Sequence, residues 1–344
     1  MQARISLRML ASGEEVDSER VLATVLYDAS GAAGDVDSLG VVPMRPLGNS
    51  GSAHAIFVGD GAIHRGAEGP LRYRSTEHFC AGCIALDEGD FRSASPVASV
   101  QLVADFSYGL ILKATREMGY PHLIRCWNYF SRINESEHGL ERYRHFNIGR
   151  ARAFDRSGRL RADAAPAASA LGTSASATSP GQVVIYFLAS KYVPDAIENP
   201  RQVSAYHYPS QYGPVSPLFS RATVLSLSPE SQAIFVSGTA SIVGHQSVHV
   251  GDAAAQTVET LQNLEAVVDQ ANLRAATGTF SVADLRLRAY LRHPSDLPEV
   301  QGALFEKLRP DVDVTWLQAD ICRADLLVEI EGFGLSDTHR TRPC

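Results

Sequence analysis

Two glutamates near the carboxyl end, Glu329 and Glu331, lie two residues apart in "LLVEIEGFG" (326–334). The segment alternates as a strand does, so Val328 and Ile330 share one face and both carboxylates share the other. A solvated face explains such a pair without chemistry. A carboxylic acid kept protonated by apolar neighbours explains it with chemistry, because a raised pKa suits a general acid. Cys322 precedes Glu329 by seven residues, across an expected hairpin that would bring the thiol to the same place. Its neighbours do not obviously lower its pKa, so it is not read as a nucleophile, and a buried structural cysteine explains it without chemistry. Arginine is concentrated in "RYRHFNIGRAR" (142–152), and Arg221 closes a tyrosine-rich stretch. Such clusters are often solvated faces. Guanidinium and phenol groups are also what a small dicarboxylate requires.

Other motifs carry less. Cys80 and Cys83 in "CAGC" have metal or redox spacing, but there is no second CxxC. His245 and His249 are four residues apart in a glycine-bounded turn, and two further zinc ligands cannot be assigned. There is no GxGxxG, no GxxxxGK[ST] and no GxSxG, so neither a nucleotide cofactor nor an α/β-hydrolase serine is expected. The 344 residues are 45% hydrophobic and carry a net charge of −7, without a basic run of nucleic-acid type. No apolar h-region opens the chain and no span of about 18 apolar residues occurs. With five cysteines, an odd number, the expectation is a reduced, cytoplasmic protein.

The elements that would position these residues repeat. In the second half, "SQAIFVSGTASIVG" (231–244) reads as a strand and turn. Residues 251–273 read as a helix capped by Asp252, and 282–293 as a strand. Residues 297–310 read as a short helix, followed by strands over 312–323 and 326–334. The first half shows the same order more weakly. There "AHAIFVGDGAIHRG" (53–66) stands for 231–244, 101–120 is the long helix and 123–134 the next strand. Residues 140–154 would hold the second helix and its following strand, and "GQVVIYFLAS" (181–190) stands for "LLVEIEGFG". The chain reads as a divergent tandem duplication. On that alignment Val184 and Tyr186 occupy the places of Glu329 and Glu331, so only one half has kept the acids. Residues 156–180, rich in Ala, Ser, Gly and Pro, read as a long mobile loop. Residues 191–222 hold four of the twelve tyrosines and five of the seventeen prolines, and fit neither repeat. They suit a stiff wall beside a ligand. The expected division is a first domain over 1–190, a connecting segment over 191–222 and a second domain over 223–344.

The second half resembles the Rid (YjgF-like) family through "FVSGTASIVG", "AAQTVETLQNLEAVVDQANL", "LRLRAYLRHPSDLPEVQGALFEKL" and "LVEIEGFG". Imine-hydrolysing Rid proteins carry an arginine on the strand before the last turn, and residues 311–321 contain none. The whole chain resembles the chorismatase family, which fuses two Rid-like domains. The stretches that carry this are "RCWNYFSRIN", "GLERYRHFNIGRARAF", "VVIYFLAS", "NPRQVSAYHYPSQYGPVSPLFSRA", "VSGTASIVGHQSVHVGD" and "ICRADLLVEIEGFG".

The resemblance implies an α+β fold of two tandem Rid/YjgF-like, chorismate-mutase-like ferredoxin-type domains. Their mixed sheets would carry helices on one face. It implies a cofactor-free, metal-free lyase acting on chorismate, a dianion with an enolpyruvyl ether, in a monomer or small homo-oligomer. Glu329 would protonate the terminal methylene of the enol ether. Arg150, Arg221, Tyr143, Tyr206, Tyr212 and Ala240 would line the substrate site. Family members with cysteine at the position of Cys322 resemble hydroxybenzoate formers, and hydrolytic members have alanine there. The expected products are therefore 3-hydroxybenzoate, or 4-hydroxybenzoate, with pyruvate. Hydrolysis to a dihydroxycyclohexadiene carboxylate and a non-catalytic Rid-like binding protein stand as alternatives.

Overall fold

A computed structural model describes residues 7–9, 17–29, 38–48, 53–59, 61–92, 97–159, 164–173, 181–275 and 279–337. Three sheets share one core. The first has four strands, β1 (Leu7–Met9), β2 (Val21–Tyr27), β3 (Gly40–Val42) and β4 (Ala53–Gly59), in the order β1-β4-β2-β3. The second contains β5 (His64–Glu68), β6 (Leu71–Ser75), β7 (Phe79–Asp87), β8 (His122–Ser131), β11 (Ala167–Thr173) and β12 (Gln182–Ser190). A two-stranded hairpin, β9 (Ser136–Glu137) with β10 (Leu140–Glu141), lies between β8 and β11 in the chain. The third sheet is built from β13 (Asp195–Ile197), β14 (Ala222–Ser228), β15 (Ser231–Ala240), β18 (Arg286–Leu291), β19 (Val314–Gln318) and β20 (Val328–Asp337). A second small hairpin joins β16 (Ile242–Val243) to β17 (Gln246–Ser247).

The second and third sheets have matching strand orders, β11-β8-β12-β7-β6 and β19-β18-β20-β15-β14. Each is a hairpin, a long helix, a strand, a second helix, then two more strands. The helices are α1 (Ser99–Glu117) and α2 (Arg142–Arg156) in the first unit, α3 (Ala253–Arg274) and α4 (Leu297–Lys307) in the second. This is the expected duplicated α+β architecture, but the alignment within it needs one correction. The counterpart of β15 is β7, "FCAGCIALD", and not the segment beginning "AHAIFVG", which forms β4 of the separate first sheet. Similar apolar, glycine-broken composition made the two strands look alike, whereas only strand pairing distinguishes them.

Each sheet of the two units buries both faces. The outer face of the second sheet packs Ile84, Cys126, Phe130 and Ile185 against α1 and α2. The outer face of the third packs Val236, Leu287, Val328 and Ile330 against α3 and α4. The inner faces meet each other and the first sheet, with Tyr27, Phe57, Trp127, Tyr129, Tyr186, Phe235, Tyr290 and Phe333 in one cluster. Burial on both faces explains the near-continuous apolar runs of β8 and β12. Helix α3 begins where expected, with Asp252 Oδ1 accepting the Ala255 N–H at 2.8 Å. Helices α1 and α2 cross closely at Gly149, where a methyl group would overlap the Gln101 carbonyl.

Three readings of loops are corrected. Residues 167–173, expected inside a mobile loop, form β11, a buried strand parallel to β8. Small side chains suit that position, because β11 is squeezed between the helices and the third sheet; of the rest of that stretch, 160–163 and 174–180 lie outside the described residues. The strand expected to close 140–154 is absent, since α2 runs on to Arg156. Strands β19 and β20 are not a hairpin: β18 lies between them and pairs with both. Among the described residues no helix is long and apolar enough to cross a membrane.

Candidate active site

Strand β20 pairs with β15 on one side and β18 on the other, which fixes the direction of every side chain along it. Val328 and Ile330 point outward to α3 and α4. Glu329 and Glu331 point inward, toward the first unit, and are only 3% and 2% exposed. The solvated-face explanation is therefore excluded. The environments of the two acids then diverge.

Glu331 is fully compensated. Arg125 Nη2 of β8 lies 2.6 Å from its Oε2, and Arg288 Nε of β18 lies 3.2 Å from its Oε1. Trp127 Nε1 donates at 2.9 Å and Tyr290 OH at 3.0 Å, and Ser169 Oγ donates as well. Burial alone would raise its pKa, but Arg288 and Arg125 outweigh burial and hold it below the usual carboxylate range. Glu331 stays ionised and ties the two units together across 206 residues of sequence.

Glu329 has no such escort. Burial, then the negative charge of Glu331, pushes its pKa up to about 8, against a smaller opposing pull from Arg125. At neutral pH it is a protonated acid. Its place depends on a bulge in β15, where the register with β20 shifts between Val236 and Thr239. The bulge puts Gly238 beside the carboxyl group, and any side chain there would overlap Glu329 Oε1.

Glu329 borders two adjoining cavities. The larger, about 300 Å³, is also lined by Tyr143, Tyr208, Tyr212, Arg221, Cys322 and Arg323. The smaller, about 40 Å³, is lined by Asn128, Asn147, Arg150 and Ser169 among others. Tyr143, Phe219, Gly238, Cys322 and Glu329 border both, so the two are compartments of one site at the seam between the units. The first unit supplies α2 and β11, the second β15 and β20. The 191–222 segment supplies a wall, in which two short helical turns, Ala205–His207 and Ser210–Tyr212, project the tyrosines.

Three guanidinium groups face this site without an ion-pair partner among the described residues. Arg150 lies over the rings of Tyr108 and Phe154, at 4.8 and 5.1 Å. It donates to the Leu218 carbonyl through Nη1, leaving Nε and Nη2 without a partner. Arg221 Nη2 is held by the Val203 carbonyl at 2.8 Å and by Tyr208 OH at 2.9 Å, while its Nε is unpartnered. Arg323 Nη2 is likewise buried without a partner. Buried unpaired donors are costly, so each marks a place where an anionic ligand would be favoured.

Cys322 lies in the segment joining β19 to β20, which folds back over the sheet edge to reach the cavity. Burial, then the charge of Glu329, pushes the thiol up to about 12, so it remains S–H. Burial likewise raises the phenol of Tyr143. Ala240 and Tyr212 line the larger cavity. Tyr206 does not: its ring packs against the cluster beneath α1 and α2, and Tyr208, two residues on, takes the expected place. The short helical turn over Ala205–His207 reverses which of the two faces the ligand side. Arg125, Ser169, Tyr208 and Arg323 escaped the sequence reading. Ser169 sits in an alanine-rich stretch without any local signal, whereas Arg323, adjacent to Cys322, could have been found by proximity.

The remaining motifs resolve structurally. Cys80 and Cys83, three apart on β7, face opposite sides of the sheet, one toward the helices and one toward the inner core. Burial raises both thiols to about 12. His245 accepts at its carbonyl from Tyr212 OH at 2.6 Å, and His249 lies 3.5 Å from Glu259. Among the described residues no group of three or more His, Cys, Asp or Glu side chains is placed to hold a metal ion.

Comparison with known proteins agrees with this architecture. Residues 55–189 match the family model for the N-terminal part of FkbO/Hyg5-like chorismatases. The chain is 39% identical over 265 residues to a 3-hydroxybenzoate synthase of Streptomyces hygroscopicus, covering 74% of this chain and 72% of that protein. It is 36% identical over 331 residues to a chorismatase of Streptomyces rapamycinicus, covering 88% and 94%. A crystal structure of a chorismatase superposes with a TM-score of 0.82 at 30% identity, over 96% of this chain and 98% of that one.

Proposed function

This chain belongs to the chorismatase family, and from that premise we propose that it converts chorismate to 3-hydroxybenzoate and pyruvate, with 4-hydroxybenzoate as the alternative aromatic product. The observation that carries this reading is a buried acid, Glu329, held protonated beside a cavity edged by guanidinium groups without ion-pair partners. Chorismate has two carboxylates to satisfy such groups, and an enol ether whose cleavage begins with protonation of carbon. A cavity of about 300 Å³ is at the lower end of the range for small-molecule sites.

Glu329 delivers its proton to the terminal methylene of the enolpyruvyl group, and the ether carbon becomes an oxocarbenium ion. The Glu329 carboxylate that remains is the base nearest to the developing cation. The neighbouring ring hydroxyl attacks the ether-bearing ring carbon as its proton passes to the Glu329 carboxylate, the carbon–oxygen bond to the side chain breaks, and pyruvate leaves. Opening of the strained oxygen bridge and loss of a ring proton, balanced by protonation of the bridge oxygen, give the phenol. Chorismate thus divides into pyruvate and hydroxybenzoate with no net water. Arg150 holds a carboxylate, Arg221 adds positive charge at the wall of the larger compartment, and Tyr143 and Tyr212 border the ring. Cys322, as a neutral thiol, occupies space that water would otherwise use and faces the ring during aromatisation. Similarity to a protein named 3-hydroxybenzoate synthase supports the same product here.

The test is incubation of purified protein with chorismate alone and separation of products by HPLC. Pyruvate with 3-hydroxybenzoate is expected. Pyruvate with the non-aromatic dihydrodiol would mean that water attacks, and absence of pyruvate would overturn the reading altogether.

A further inference from the structure

Resting on the chorismatase reading, we propose that Arg323 anchors the ring carboxylate of the substrate and keeps hold of the ring after pyruvate has departed. Arg323 is built for one remaining contact. Its guanidinium carbon lies 4.2 Å from the ring centroid of Tyr212 and 5.3 Å from that of Tyr208, so two tyrosines of the 191–222 wall fix its plane. Nη1 donates to the His245 carbonyl at 2.9 Å and to Ser247 Oγ at 3.3 Å. Nη2 is buried and has no partner, and the Arg323 side chain lines the larger cavity. No carboxylate among the described residues pairs with it.

The two compartments determine which carboxylate it meets. Glu329 borders both, Arg150 borders only the smaller and Arg323 only the larger. In chorismate the methylene that takes the proton and the side-chain carboxylate are attached to the same carbon, so with the methylene at Glu329 that carboxylate lies close by. The ring carboxylate lies on the far side of the ring. A compartment of about 40 Å³ has no room for a six-membered ring, which therefore occupies the larger one. The side-chain carboxylate then faces Arg150, and the ring carboxylate faces Arg323. Arg221 borders the larger compartment too and keeps an unpartnered Nε, but with its Nη2 committed to Val203 and Tyr208 it adds at most a single flanking N–H beside Arg323. When the ether bond breaks, the group on Arg150 leaves with pyruvate while the benzoate half stays on Arg323.

The experiment is calorimetric binding of 3-hydroxybenzoate and of its neutral amide, 3-hydroxybenzamide, to wild type, Arg323→Met and Arg150→Met. Wild type is expected to prefer the acid by about 10- to 100-fold, the range for a charge-assisted hydrogen bond. Arg323→Met is expected to lose that preference and to raise KM for chorismate, whereas Arg150→Met keeps it. A preference that survives in Arg323→Met overturns the proposal, as does one lost only in Arg150→Met. If Arg323 merely braced its loop, the variant would weaken acid and amide equally, and the unchanged ratio would again overturn it. A wild-type protein that does not turn over chorismate would instead count against the chorismatase reading.

Discussion

Gly238 and Glu329 occupy one space: the bulge of β15 brings the glycine so near the carboxyl group that a single added methyl would overlap Oε1. The acid's position is thus determined by the absence of a side chain on the neighbouring strand. Gly238→Ala is expected to turn Glu329 away from the cavity and to lower kcat/KM by about 100-fold, as displacements of roughly 1 Å do. Thermal melting beside steady-state assays would check it. A variant that melts normally and turns over chorismate normally would contradict the role given to this contact.

Removing the proton leaves the shape. Glu329→Gln should reduce kcat by about 10²- to 10⁴-fold, the usual contribution of a general acid, while chorismate still binds. Single-turnover rates and equilibrium binding separate the two effects.

The pH dependence follows from a pKa near 8. The acid must be protonated to act, so kcat/KM should fall as pH rises through about 8, with no corresponding loss at pH 6. Stability has the same sign for this group. Folded Glu329 binds its proton more tightly than the unfolded chain, so its contribution is complete below about 4.5 and is lost as pH rises to about 8. Glu331, with a depressed pKa, contributes oppositely: its stabilisation is complete above the unfolded value and is lost as pH falls through the lower folded one. A pH–rate profile together with denaturant melts at several pH values tests both.

Glu331→Gln removes the like charge next to Glu329 and strands Arg125 and Arg288 inside the protein. The alkaline limb of the pH–rate profile should move to lower pH. Stability should fall by about 3–5 kcal/mol, as when one partner of a buried pair is deleted. An unmoved limb would show that burial alone raises Glu329.

Cys322→Ala should alter what leaves the site more than how fast chorismate is consumed. Opening room beside the ring admits water, so the dihydrodiol or the 4-isomer should rise relative to 3-hydroxybenzoate. Product ratios by HPLC decide this, and an unchanged ratio would remove Cys322 from product control.

Much of this protein is written locally. The alternation of "VEIE" already separates two apolar from two acidic positions, because a strand's side chains have a period of two. The capping of α3 by Asp252 and the periodicity behind it are equally local. The tandem order of elements, and the loss of the acids at Val184 and Tyr186 in one copy, are readable by comparing the halves.

What the linear order could not contain is the difference between Glu329 and Glu331. They are two residues apart on one face, yet one is ionised and the other a proton donor. The decision is made by Arg288 on the adjacent strand and, from more than 150 residues away in the chain, by Arg125, Trp127 and Ser169. Only the packing of the first unit's sheet against the second brings the last three to Glu331 and not to Glu329. The same holds for the choice of Tyr208 over Tyr206, for the strand hidden in "AASALGT", and for Arg323 between its two tyrosines. Side-chain alternation and helical periodicity are properties of neighbours along the chain, and sequence determines them. Desolvation and charge pairing depend on neighbours in space, and the tertiary structure alone assigns them.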